Sequence, residues 1–168
     1  KITVVLNVPD PRLFGPLPPA PARTAEDEFV VVCHGAIEER YGHDTMLNAM
    51  VLLREALPHL RLVITGNGGY REAFEAQIEA LHLRDRVRFL GYVSKAELVA
   101  VLARADAGIV AQKASPYSHL VHTGKMYDFL AFGKPVLASR LKAVQAYFDE
   151  ASLAYFEPGD PADLARAL

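Results

Sequence analysis

The chain has 168 residues, 18 Lys+Arg against 20 Asp+Glu, one Cys, no Trp and 51% hydrophobic side chains. That length suits one α/β domain, and a domain of this size buries about 70% of the surface its unfolded chain exposes, so it needs no disulfide or zinc staple. One cysteine excludes an internal disulfide framework, a net charge of −2 argues against a broad nucleic-acid footprint, and no apolar run nears the about 18 residues of a membrane span.

In chain order, Ile2 to Val8 is rich in β-branched residues and reads as a strand. Six of the 11 prolines follow, between Pro9 and Pro21, so residues 9–27 read as a linker or extended wrap. The domain proper is expected over 28–168. Phe29 to Cys33 is a short apolar run, as in a strand buried on both faces, and Cys33 reads as a small buried hydrophobe. Met46, Ala49, Met50, Leu53 and Leu57 are spaced by threes and fours, which predicts a helix over 43–57 stopped by Pro58. Arg61–Thr65 is the next strand, 70–82 a helix, and 87–90 a strand. Ser94 and Glu97 have capping-box spacing, and the helix they open carries Leu98, Val101, Leu102 and Ala105 on one face. A strand over 107–110, a polar loop, a helix over 125–132, a strand over 135–138, a short helix over 142–148 and a strand over 153–156 follow. Pro161 opens the last helix. This alternation predicts a three-layer α/β fold with a doubly wound, parallel, Rossmann-like sheet.

In such sheets ligands bind outside the carboxyl ends of the strands. The segments there are His34-Gly35, Gly66 to Gly69, Gly91 to Val93, the loop from Gln112 to Gly124, and Ser139-Arg140. Gly66 to Gly69 fits either a ligand turn or a tight connection, and it lacks the third glycine of the dinucleotide fingerprint. The long loop delivers Thr123, Gly124 and Lys125 to a helix start, where free N–H groups and a lysine suit an anion. Asp128 lies on the same helix face as Lys125. The pair fits a phosphate with a sugar hydroxyl, or a surface Lys–Asp pair, and spacing alone does not choose.

The run from Lys125 to Ser139, KMYDFLAFGKPVLAS, resembles the "E-x-x-A-x-G-x-P-V-x-A-S" signature of glycosyltransferase family 4 (group 1), retaining enzymes of the two-domain GT-B fold. Gly35 to Ala49 is similar to that family's "G-x-x-x-x-K-G-x-x-x-L-x-x-A". Leu62 to Gly68 is similar to its "L-x-I-x-G-x-G", and Val87 to Val93 to its "V-x-F-x-G-x-V". Asn7 to Asp10 with Phe14 resembles the segment that closes the family's first domain, and Phe156 to Asp160 the stretch before its last helices.

The resemblance implies the C-terminal, donor-binding half of such an enzyme. It implies that Asp128 binds ribose hydroxyls and that amides around His122, Thr123, Gly124 and Lys125 hold a diphosphate. Arg40 would neutralise phosphate, Gly35 would leave it room, and Tyr92 and Val93 would meet the base, with packing an equal reading for Tyr92. Gly66 joins the donor-binding set.

Three departures stand out. Leu120 replaces the first of the family's two glutamates, leaving Ser118, His119 or His122 for the sugar. Asp128 is one methylene shorter than the second. Ala36 and Tyr41 replace the first loop's Arg and Lys. His119 and His122 find no carboxylate or Cys to complete a metal set, and the family needs no metal, so no metal or other cofactor is expected beyond a nucleoside diphosphate sugar as donor substrate. The expected partners are that nucleotide-sugar and an N-terminal domain in cis, which would carry the acceptor-side residues. No nucleic acid and no transmembrane segment are expected. The start at Lys1 and the cut-off first strand suggest a piece of a longer protein, inactive alone and cytoplasmic, with membrane association of the whole enzyme left open. The competing readings are a non-catalytic nucleotide- or partner-binding domain and half of a nucleotide-sugar 2-epimerase.

Overall fold

The computed structural model describes residues 27–168. The expected strand over 2–8, all but the last residue of the proline-rich stretch, and the Asn7–Asp10 and Phe14 segment lie outside the described residues.

Six strands form one parallel sheet: β1 (Phe29–His34), β2 (Leu60–Thr65), β3 (Val87–Phe89), β4 (Ala107–Val110), β5 (Val136–Ser139) and β6 (Ala154–Phe156). Their order across the sheet is β3-β2-β1-β4-β5-β6. The helices between them are α1 (His43–Leu52), α2 (Arg71–Ala80), α3 (Lys95–Arg104), α4 (Gly124–Ala131), α5 (Lys142–Gln145) and α6 (Pro161–Ala167), with a 3-10 turn at Glu39–Tyr41. The fold is therefore the doubly wound, Rossmann-like α/β sheet expected from the alternation of elements.

Side-chain alternation along the strands builds two cores. Val31, Cys33, Leu60, Leu62 and Ile64 face Met46, Leu47 and Met50 of α1, Phe74 and Ile78 of α2, and Leu164 of α6. Val32 and Val63 face the opposite way, toward Leu102 of α3, Met126 and Phe129 of α4, and Val144 of α5. Period-two alternation in a strand sends neighbours to opposite faces, so a continuous apolar run needs helices on both. Cys33 is buried in the first of these cores, as expected of a small hydrophobe.

Two helices are shorter than expected. The stripe over 43–57 yields a helix that ends at Leu52, and Leu57 is 38% exposed. Pro58 disfavours helical backbone at the residue before it. The buried Arg86 guanidinium also gathers the carbonyls of Met50, Leu57 and Leu60, which turns the chain toward β2. The helix expected over 142–148 ends at Gln145, with turns after it. The capping box forms as its spacing predicts: Glu97 N–H donates to Ser94 Oγ (3.3 Å), and Ser94 N–H to Glu97 Oε2 (2.7 Å).

Strand β1 has β2 on one side and β4 on the other, so the chain reverses its direction of winding between β1 and β4. The crevice at their carboxyl ends is the topological switch point.

Candidate functional site

Three loops meet at that crevice. Gly35 N–H donates to Thr65 O (2.9 Å), Ile37 N–H to Asn67 O (3.0 Å) and Tyr70 N–H to Ile37 O (3.0 Å), tying the loop after β1 to the loop after β2. Glu38 adds a side-chain tie by accepting from Gly69 N–H (3.2 Å). On the other side Lys113 N–H donates to Arg40 O (2.8 Å), joining the first loop to the chain after β4. A hollow of about 380 Å³ opens between these segments, lined by Glu38, Glu39, Arg40, Lys113, Ala114 and Ser115. Lys113 is held there by Asp44 Oδ2 at 2.8 Å. Beside the hollow, Ser115 and Ser118 bond each other through both backbone and hydroxyl groups, which fixes the base of the long loop.

Helix α4 reaches the crevice because Gly108 of β4 has no side chain. A Cβ at Gly108 would collide with the Phe129 ring, so the glycine lets α4 press onto the sheet. That approach sets Asp128 beside the end of β1, where its Oδ2 lies 3.5 Å from His34 Nε2. This separation is long for a hydrogen bond. Burial raises the Asp128 carboxyl above its ordinary range. His34 is 6% exposed, stacks edge-on against Phe129 at 5.1 Å, and its Nε2 has no hydrogen-bond partner among the described residues. Burial, reinforced by the Lys125 charge, lowers its pKa to about 4, so the ring is neutral at pH 7.

Thr123 caps α4, its Oγ1 accepting a long 3.4 Å bond from Lys125 N–H. Gly124 opens onto free space, with nothing within 4 Å of where a Cβ would stand. The Lys125 side chain does not pair with Asp128. It crosses Gly35, whose φ of 103° puts it in the left-handed region, and its Nζ lies 3.7 Å from the centroid of the Tyr41 ring. The surface Lys–Asp pair left open by spacing is thus replaced by a buried-edge contact between Asp128 and His34.

The remaining expected residues fall in varied settings. Arg40 is exposed, its guanidinium 5.0 Å from the same Tyr41 ring. Gly66 is filled from within, since a Cβ there would collide with the Gly35 carbonyl oxygen; of its two readings, the tight connection accounts for the glycine. Tyr92 is 85% exposed, so its ring stands outside the core, and Val93 is half-buried beside it. The His122 ring is committed inside the protein: Nε2–H donates to Ala143 O, Nδ1 accepts from Tyr127 OH (3.1 Å), and Tyr147 packs edge-on at 4.9 Å. His119 Nδ1 accepts from Lys142 N–H (3.3 Å), so both histidines anchor the long loop to α5. Leu120, at the place of the family's first glutamate, is 82% exposed.

Sequence reasoning passed over Glu38, and it named His34 only as a strand end and Tyr41 only as a departure, with no role for either. His34 and Tyr41 each stand next to a residue that was singled out. The signal available was position alone: His34 ends a strand at the switch point, and the other two lie in the loop that follows it.

Residues 19–168 match the family described as glycosyl transferases group 1. A lipopolysaccharide core biosynthesis glycosyltransferase, LpsD of Rhizobium meliloti, is 29% identical over 168 residues, covering 99% of this chain and 46% of the relative. A GDP-mannose-dependent phosphatidylinositol monomannoside mannosyltransferase of Mycolicibacterium smegmatis is 34% identical over 102 residues, covering 58% of this chain and 27% of the relative. Among solved structures, Anabaena HepE in complex with UDP and glucose superposes with a TM-score of 0.75 at 20% identity, over 98% of this chain and 45% of HepE. The chain thus spans under half the length of these curated relatives. The family match covers all of the described fold, including every loop of the crevice, and the chain belongs to the group 1 glycosyltransferase family.

Proposed function

We propose that this chain is the donor-binding half of a retaining glycosyltransferase and that the crevice between β1 and β4 holds a nucleoside diphosphate sugar. The observation that carries this reading is the convergence of Asp128 and Lys125, one helical turn apart on α4, upon His34 and Gly35 at the end of β1, the first reaching His34 and the second crossing Gly35. HepE, which has the same fold, is described with UDP and glucose, and with UDP-glucose.

In this reading Asp128 accepts hydrogen bonds from ribose hydroxyls, and its partial burial makes each bond worth more than on the surface. The opening of α4 at Thr123, Gly124 and Lys125 presents amides to the diphosphate. The Lys125 ammonium and the Arg40 guanidinium supply positive charge, and Tyr92 with Val93 flanks the base. The reaction breaks the anomeric C–O bond to the diphosphate, so negative charge grows on the leaving group. Fixed donors and cations aimed at that charge lower the barrier. The acceptor comes from a second domain in cis, residues 1–27 lead from it into the domain over 28–168, and the chemistry takes place in the cytoplasm without a metal. No helix among the described residues is long and apolar enough to cross a membrane.

Leu120 in place of a glutamate favours a second reading, binding without turnover. One set of measurements addresses both. Thermal shifts with UDP, GDP, ADP and their sugars should show stabilisation by at least one diphosphate at millimolar concentration. Arg40→Ala and Lys125→Ala should each weaken that diphosphate about tenfold, through lost charge-assisted contacts, and its nucleoside hardly at all. Equal losses for both ligands would sink the assigned roles. Binding without sugar transfer or donor hydrolysis by the whole protein would select the second reading.

A further inference from the structure

The first loop enters the crevice without the two basic side chains that its resemblance leads one to expect, because Ala36 and Tyr41 stand in their places. The structure brings a cation there by another route. Lys125 extends from α4 across Gly35 so closely that a Cβ on that glycine would lie 2.5 Å from Lys125 Cε and 3.2 Å from Nζ. The ammonium ends 3.7 Å from the centroid of the Tyr41 ring. Arg40 Cζ lies 5.0 Å from the same centroid. One ring therefore gathers the cations of two separate elements. An unrestrained lysine head samples many rotamers, whereas the negative face of an aromatic ring attracts it within about 6 Å.

We infer that Tyr41 is a positioning residue whose ring holds the Lys125 ammonium at the first-loop edge of the crevice, where it meets the diphosphate of the donor. The inference rests on the reading of the crevice as a nucleoside diphosphate site. Gly35, whose φ of 103° calls for glycine, leaves open the space that the lysine crosses. This arrangement explains how a first loop with no basic residue at either expected position serves an anion, since α4 adds its charge to that of Arg40 and the loop supplies the π face that aims it.

The test is calorimetric titration of the full chain with UDP, GDP and ADP, then with the tightest of these and its own nucleoside at two salt concentrations. Tyr41→Phe keeps the ring and should leave the diphosphate Kd within about twofold. Tyr41→Leu should raise it about 3- to 10-fold, within the range of a cation–π contact and no more than the loss of Lys125 itself, and leave the nucleoside Kd unchanged. Its diphosphate binding should also fall off less steeply with salt. In a Lys125→Met background, which itself weakens the diphosphate, Tyr41→Leu should add little, because both changes remove one contact. If Tyr41→Leu does not fold, Tyr41→Met, unbranched and without a π face, replaces it. Unchanged or tighter diphosphate binding in Tyr41→Leu, or an equal loss for the nucleoside, overturns the positioning role and leaves the crevice reading intact. Failure of the unaltered chain to bind any of the three diphosphates overturns the crevice reading, and this inference with it.

Discussion

Two histidines sit where the protein strips them of water. His34 at the end of β1 and His43 at the start of α1 are both buried, and burial, reinforced by the Lys125 charge, lowers each to a pKa of about 4. An unfolded histidine titrates near 6.5, so between about pH 6.5 and 4 the unfolded chain binds more protons than the folded one. Stability is then highest above the unfolded pKa and falls with pH through that window, by about 1.4 kcal/mol per pH unit for each fully titrating histidine. The raised Asp128 carboxyl works the other way at the acid end. Urea midpoints at pH 7, 6 and 5 should fall in turn, and His34→Gln should flatten the trend. A profile flat over that range would show that neither ring is held neutral. Sequence alone gave Gly35 a role at this place and His34 none, because burial of a strand-end residue depends on what packs above it, and Phe129 is 95 positions away along the chain.

Helix α4 shows how an element reaches its post. Its start and stop are local: Thr123 caps it and Gly133, with φ of 62°, lies just past its end. Its distance from the sheet is decided by Gly108, which faces the Phe129 ring. Gly108→Ala should therefore cost about 1–3 kcal/mol by overpacking and push Asp128 and Lys125 away from β1. Chemical denaturation would read the first effect and diphosphate titration the second. Full affinity together with full stability would mean that α4 can yield without moving its first turn. The glycine was visible within an apolar strand, and its partner was not.

At the scale of the whole molecule, the described residues form one sheet with a core on each face, and β2, β1, β4 and β5 are each paired on both sides. Leu62 belongs to one core and Phe129 to the other, and both are fully buried. A sheet shared by both faces should couple them, so Leu62→Ala and Phe129→Ala should each cost about 2–5 kcal/mol and shift one common unfolding transition. Two separable transitions by fluorescence and circular dichroism would mean that the cores fold independently.

Much of this architecture was legible locally. Short apolar runs, capping residues and strand-ending glycines set the element order, because hydrogen-bond periodicity and backbone sterics act over a few residues. The alternation of strands and helices then left a parallel doubly wound sheet as the packing that covers both faces, and family motifs marked the crevice. Contact across the chain decided the rest. Arg86 shortened a helix by collecting distant carbonyls, His122 turned inward to Ala143 and Tyr127, and Lys125 passed Asp128 by and settled on Tyr41. Charge, burial and ring contact depend on three-dimensional neighbours, so only the folded chain could choose among partners that the sequence offered equally.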